Sequence, residues 1–404
     1  MPRAWQHSQP IQRILRTIPR AALTLICALA MLDAAAYAQT YTILHNFTGG
    51  NDGENPYAAL TLDRAGNLYG TTTASYGGNG GGTVFKLTHR NGDWTFALLY
   101  DVGGFGGLTI GPNGSLYGAN NNDAVFNLQP PLHFLPNLLG PWMETTLDTS
   151  PAGSYAGVVF DRAGNIYGTT YEGGSYGGGS VFEISPSNGG WSYTVLHSFG
   201  HGVDGSLPIS GLILDAAGNL YGTTESGGAD GNGTVYELSP SADGWTENLL
   251  HSFTGGDDGG NPYGGLIFDA SGNLYGATPG LFSGGQGGSV FKLTPSGASW
   301  TFSVLYSFAE GGDECGPRGT PAMDAAGNLY DTTACLGAHF SGSVFKLTPI
   351  NGSWTYTSLH DFGIGNDGAY PEAGVTLDAN GNIYGTTAVG GANGAWGIAF
   401  AITP

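Results

Sequence analysis

Short apolar segments, separated by Gly, Asn, Asp and Pro, run along nearly the whole chain and recur with a period. One unit shows the pattern: GLILD (211–215), NLYGTT (219–224), GTVYELSP (233–240) and WTENLLHSF (245–253). Each segment has strand length and is rich in β-branched or aromatic residues, and turn formers stand between them. Past residue 38 no segment carries a helical period. The pattern predicts four antiparallel strands per unit, named A to D in chain order. Strand A copies such as GLILD and GLIFD are apolar on both faces, which suits a sheet packed between two neighbours.

The link between A and B carries the clearest copy. It reads DRAGNLYGTT from Asp63, DRAGNIYGTT from Asp161, DAAGNLYGTT from Asp215, DASGNLYGAT from Asp269, DAAGNLYDTT from Asp324 and DANGNIYGTT from Asp378. A degenerate seventh copy, GPNGSLYGAN (111–120), fills the double gap between 63 and 161. From 161 onward the starts are 54 or 55 residues apart, a period that marks a propeller or array. In this turn the Asp is expected to accept backbone N–H groups and the Gly to take a positive φ.

The chain ends complete the prediction. YTILHNF (41–47) matches strand D (YTVLHSF, 193–199), and GIAFAITP (397–404) matches strand C. The last unit therefore lacks a D strand, and an unattached D strand stands near the start. Joining them closes a ring and removes exposed sheet edges. The expected fold is all-β: a seven-bladed β-propeller of four-stranded antiparallel blades, closed by an N-terminal strand.

Composition narrows the setting. The 404 residues include 73 Gly; 40% are hydrophobic and 12% aromatic, enough for a packed core. A net charge of −20 argues against nucleic acid and anionic membrane surfaces as partners. Residues 1–38 differ from the rest. Arg3, Arg13, Arg16 and Arg20 precede a 12-residue apolar run, AALTLICALAML (21–32), and then AYAQ (36–39). This reads as a secretory signal cut after Ala38. The run is too short to span a bilayer. The mature chain, 39–404, is expected to be a single propeller that is secreted to the periplasm or the exterior and does not span a membrane. Cys315 and Cys335 fall in loops at one end of the same repeat, and export permits a disulfide between them. Such a bridge is worth about 3 kcal/mol on chain entropy.

Taken together, the D-x-x-G-N-L-Y-G-T-T turn, the Gly-rich loop, the G-T-V-F-K-L-T-P strand, the W-x-x-x-x-L-H-x-F strand and the G-x-D-G loop resemble the GloVer tandem repeat. Its bearers are called choice-of-anchor tandem repeat GloVer-containing proteins. The resemblance extends over 41–404 and implies an exported bacterial protein of this architecture, with no activity attached. Members differ in their C-terminal surface anchor. This chain stops at Pro404 without a recognisable one, so surface attachment is not expected.

Candidate chemistry lies at the end where the D–A and B–C loops meet, because loops on a rigid scaffold carry function. The position two before the small residue that opens strand A reads Tyr57, Phe105, Tyr155, Ile209, Tyr263, Arg318 and Glu372. With strand A innermost, these residues ring the channel mouth. Their aromatic members suit a sugar or a cation; the alternative is packing beneath the loops. Blade six is irregular. Asp331 replaces a Gly common to the other six copies, and Glu310, Glu314, Arg318 and His339 occupy its two loops. Arg318, Asp331 and Glu372 are the weak catalytic candidates, against a drifted, disulfide-stapled loop. Asp52, Asp204, Asp258 and Asp367, with Asp313, precede or neighbour Gly in the D–A loops. Calcium ligation is one reading of them and ordinary Asp-Gly turns the other. In blade two, Leu132, Phe134, Leu135, Leu138 and Leu139 of a long C–D loop form either a partner patch or a cover for their own blade. His45, His197, His251 and His360 share one strand-D position with Tyr100 and Tyr306, which fits a structural ring.

No P-loop, C-x-x-C pair, H-E-x-x-H or G-x-S-x-G motif is present. The leading reading is a non-enzymatic binding or scaffold module without a cofactor, whose partner is a glycan or a surface protein. The alternatives are an enzyme acting on an extracellular polymer, as a polysaccharide lyase or glycoside hydrolase, and a calcium-stabilised structural protein.

Overall fold

The computed structural model describes residues 39–404 other than 74–81, 102–105, 121–123, 132–140, 150–152, 154–155, 243, 281–287, 298 and 309–314. Residues 1–38, read above as a secretory signal, lie outside the described residues. Seven four-stranded antiparallel sheets form, six of them in the chain order A-B-C-D. The seventh is assembled from both ends. Thr376–Leu377, Ile383–Thr387 and Ile398–Thr403 supply A, B and C, and Thr40–Asn46 supplies D. No helix occurs among the described residues.

The seam that closes the ring is bonded on both sides. Phe47 N–H donates to Gly397 O at 3.1 Å and Asn55 N–H to Trp396 O at 3.0 Å. The Asn55 side-chain amide donates to Ala388 O at 2.9 Å, and the Tyr41 hydroxyl to Asp367 O at 2.7 Å.

Each blade is apolar on both faces because each is sandwiched. The buried side chains fall into seven clusters, each drawn from two adjacent blades. Between blades four and five, Tyr221, Val235 and Phe253 pack on Leu266, Leu274, Phe291 and Leu293. The Gly of strand B makes this packing possible. A Cβ on Gly70 would stand 2.5 Å from the Phe85 ring and 2.8 Å from Leu60. In blade six Asp331 takes that place, and Pro321 stands where the other copies carry Leu or Val.

Strand A is shorter than its apolar segment. In blade four it covers only Ile213–Leu214. The residues just before it also bond across the seam, their carbonyls accepting strand-B threonines of the preceding blade. Thr169 Oγ1 donates to Ser210 O at 2.9 Å, Thr223 Oγ1 to Gly264 O at 3.1 Å and Thr386 Oγ1 to Ala58 O at 3.1 Å.

The repeated A–B turn uses its Asp more fully than a backbone turn requires. Asp215 Oδ1 accepts Ala217 N–H at 2.8 Å and Asn219 N–H at 2.9 Å. Asp215 Oδ2 accepts Asn219 Nδ2 at 2.8 Å and the Tyr221 hydroxyl at 3.3 Å. Asp63, Asp161, Asp269, Asp324 and Asp378 repeat the arrangement.

Strand D carries a ladder across the seams. His45 stacks on Phe96 at 4.2 Å, His251 on Phe302 at 3.8 Å, Tyr306 on Tyr356 at 5.2 Å and His360 on Tyr41 at 3.9 Å. Each contact joins one blade to the next.

Candidate functional site

A repeated dipeptide sets the channel mouth. Pro56, Pro208, Pro262, Pro317 and Pro371 each stand just before a ring residue. Ahead of them, Asn55, Leu207, Asn261 and Tyr370 adopt positive φ. These turns latch onto the B–C loop of the preceding blade. Leu207 N–H donates to Gly178 O at 2.7 Å, Asn261 N–H to Asn232 O at 2.8 Å and Tyr370 N–H to Ser341 O at 2.8 Å. Proline fixes the next step of the chain, so each of these five ring residues enters strand A from a clamped loop.

Tyr57, Ile209, Tyr263, Arg318 and Glu372 all line one cavity of about 470 Å³ at the mouth. Its wall is made of small strand-A residues, among them Gly157, Gly211 and Gly374. Phe105 and Tyr155 lie outside the described residues.

Arg318 organises the polar groups. Its Nη1 lies 2.7 Å from Glu372 Oε2, and its guanidinium sits 5.3 Å from the centre of the Tyr263 ring. The Tyr263 hydroxyl donates to Glu225 Oε1 at 3.4 Å. Glu225 is buried; burial pushes its carboxyl up, opposed by hydrogen bonds from Tyr171 and Tyr263 and by the Arg318 charge. Tyr57 is 40% exposed. Burial and the Glu372 charge raise its phenol, and Arg318 opposes them. A polar arc thus runs from Tyr57 through Glu372, Arg318, Tyr263 and Glu225 to Tyr171.

The three catalytic candidates divide. Arg318 and Glu372 meet at the cavity. Asp331 is 1% exposed, in strand B of blade six. Thr332 N–H donates to its Oδ1 at 2.8 Å, its Oδ2 has no partner, and burial pushes it up to about 7. A Cβ on Gly319 would stand 2.5 Å from Asp331 Oδ1, so the carboxylate sits behind the channel wall. His339 is exposed in the B–C loop and does not line the cavity, and Glu310 and Glu314 lie outside the described residues. Cys315 and Cys335 form the disulfide, which joins the D–A and B–C loops of blade six with a Cα–Cα distance of 4.6 Å.

Glu225 and Tyr171 are the site residues that the sequence reading passes over. Both occupy the first position after the Thr-Thr of strand B, where blades five, six and seven carry Pro279, Ala334 and Ala388. A lone carboxylate at that place was the available signal.

The D–A loop aspartates make hydrogen bonds to strand-D histidines and within their own turns. Asp52, Asp258 and Asp367 accept His45, His251 and His360 Nε2 at 2.9, 3.1 and 3.1 Å, and turn N–H groups as well. His197 Nε2 lies 3.3 Å from Asp204 Oδ2, out of line for a hydrogen bond. Among the described residues no group of three or more His, Cys, Asp or Glu is arranged to hold a metal ion. Asp313 and the apolar loop with Leu132, Phe134, Leu135, Leu138 and Leu139 lie outside the described residues. No helix among the described residues is long and apolar enough to cross a membrane.

Comparison with solved structures finds other propellers at low identity. PorZ, a bacterial surface component of the type-IX secretion system of Porphyromonas gingivalis, is 14% identical with a TM-score of 0.52. That match covers 89% of this chain and 48% of PorZ. The PQQ domain of a pyranose dehydrogenase from Coprinopsis cinerea is 14% identical with a TM-score of 0.43, covering 91% of this chain and 96% of that one. A gluconolactonase from Xanthomonas campestris is 14% identical with a TM-score of 0.41, covering 72% and 82%. At such identity the likeness speaks to fold alone. No curated protein matches in sequence. A family model does: it matches residues 142–322 and 248–404, from the first of which the repeat runs unbroken to the last residue. The chain belongs to the Gloeobacter/Verrucomicrobia repeat family.

Proposed function

We propose that this protein is an exported binding module whose channel mouth takes a neutral, hydroxyl-rich ligand of the glycan class. The Arg318–Glu372 pair carries this reading. It places a donor and an acceptor side by side with their charges balanced, next to the exposed Tyr57 and the Tyr263 ring. Fixed polar groups beside aromatic faces are what sugar hydroxyls and C–H faces need. The disulfide and the family support export, since stable disulfides belong to oxidising compartments.

A catalytic role on an extracellular polymer is the second reading, as a polysaccharide lyase or glycoside hydrolase. One observation favours it. Glu225, held toward its neutral form by burial, shares the arc with the Arg-paired Glu372. Two carboxyl groups in unlike environments are how such enzymes divide acid and base roles.

A glycan array probed with residues 39–404, beside Arg318→Ala and Tyr57→Ala, tests the proposal. Each substitution should weaken the best glycan about tenfold or more, roughly 1.4 kcal/mol, with the melting temperature little changed. Equal binding by all three proteins, or no glycan bound, rejects it. Mass spectrometry of the bound glycan after incubation separates the two readings: shortened chains or new unsaturated ends mean catalysis.

A further inference from the structure

The blades differ at one strand-C position, and the difference leaves a site open. In blades one, five and six, Lys86, Lys292 and Lys346 stand directly opposite the strand-B tyrosines Tyr69, Tyr275 and Tyr330. Each ammonium nitrogen lies 5.3 to 5.4 Å from the centre of its ring. Blades three and four place Glu183 and Glu237 opposite Tyr167 and Tyr221 instead.

In blade four this reverses the local charge. The Tyr221 hydroxyl oxygen lies 2.9 Å from Glu237 Oε1 and 3.3 Å from Asp215 Oδ2. One hydroxyl proton serves two carboxylates, so the negative charge is in excess. Asp269 adds a third carboxylate from the facing turn of blade five. The second turn position is Arg162 in blade three but Ala216 and Ala270 in blades four and five. On the face that blade four turns to blade five, these repeat positions therefore carry no lysine or arginine; Lys292 of blade five lies over Tyr275, which packs toward blade six. Here, on the end opposite the mouth, a cleft of about 530 Å³ opens. Its aromatic walls are Tyr221, Phe268 and Trp300, with Phe268 and Trp300 edge-on to Tyr221 at 5.2 and 6.0 Å.

We propose that this cleft binds an alkylammonium group supplied from outside the chain. Aromatic rings and carboxylates around one cavity attract a weakly hydrated cation through the ring quadrupole and through charge. The sister blades show the same tyrosine position served by a lysine of the chain itself. Blade four has lost that lysine and gained a carboxylate, so the complementary ligand is a small organic cation. This site is independent of the mouth.

The test titrates residues 39–404 with choline and with n-butylammonium chloride at constant ionic strength, following the Trp300 indole N–H by NMR. The uncharged isostere 3,3-dimethyl-1-butanol is the control. Saturable shifts with either cation, and not with the isostere, support the proposal; a preference for choline marks a quaternary ligand and for butylammonium a lysine-like one. Glu237→Lys installs the sister-blade residue, so its ammonium should fill the site and weaken cation binding at least tenfold. Glu237→Gln, which keeps the shape without the charge, should weaken it at least threefold, while Glu183→Lys in the neighbouring seam should not change it. Shifts no larger than those of the isostere, or binding equal to wild type in both Glu237 variants, overturn the proposal.

Discussion

Asp331 shows how one side chain is read by its surroundings. In six copies of the repeat the position is Gly because the strand-C aromatic and strand A close over it. In blade six a carboxyl group fills that volume with one hydrogen bond and no counter-charge. Burial holds its folded pKa near 7 against 3.8 for a free Asp. Between those values the unfolded chain loses a proton that the folded chain keeps, so stability falls as pH rises from about 4 to 7 and levels off above. Each unit of such a shift is worth about 1.4 kcal/mol. Asp331→Asn should therefore unfold like wild type near pH 4 and be more stable near pH 8, by a margin on the order of 1–3 kcal/mol. Urea unfolding at the two pH values checks this; a wild-type advantage at pH 8 would show that the carboxylate is ionised and bound. The turn aspartates behave in the opposite way. Burial raises Asp63, Asp269, Asp324 and Asp378, but hydrogen bonds from Asn, backbone N–H and Tyr outweigh it and hold them low.

Strand D is the element through which neighbouring blades recognise each other. His45, His251 and His360 are each held by an Asp of the following loop and stacked on an aromatic ring of the next blade. Burial lowers His45, His197, His251 and His360 from 6.5, with the Asp partner opposing. A folded pKa below the unfolded one favours the folded state above pH 6.5, and that contribution is lost as pH falls below it. In an Asp331→Asn background, where the opposing carboxyl contribution is absent, the melting temperature should therefore drop as pH goes from about 7 toward 5. Tyr100 and Tyr306 already occupy this strand position in blades one and five, so His251→Tyr should fold. It should lose part of the acid sensitivity. A variant that melts with the same pH profile as wild type would show that the imidazole does not titrate on unfolding.

For the whole molecule, closure is the controlling feature. The strand Thr40–Asn46 completes the sheet of blade seven and delivers Leu44 and Phe47, both buried, to the core between blades seven and one. Losing each large buried side chain costs about 2–5 kcal/mol, and a domain has only about 5–15 kcal/mol in total. Removal of residues 40–47 also exposes Ile398–Thr403 as an unpaired edge. A chain beginning at Thr48 should therefore elute as aggregate on gel filtration or melt well below one beginning at Gln39. A monomer with unchanged melting behaviour would mean that the other seams hold the ring without it.

By itself, the sequence determined the number of blades, their four-strand order, the A–B turn and the closing strand. Each rests on a pattern repeated within about 55 residues, and repetition exposes local rules of alternation and turn chemistry. It also placed the ring residues on one end, because strand A follows the same loop in every copy. Only the tertiary structure decided what those residues do to one another. Arg318 meets Glu372 across 54 positions and Tyr263 reaches Glu225 across 38. Asp331 passes behind the wall, and the D–A aspartates turn to histidines. These outcomes depend on how blade is set against blade. That setting comes from close approaches such as Asp331 against Gly319 and Pro262 against Gly233, which no periodicity in the chain records.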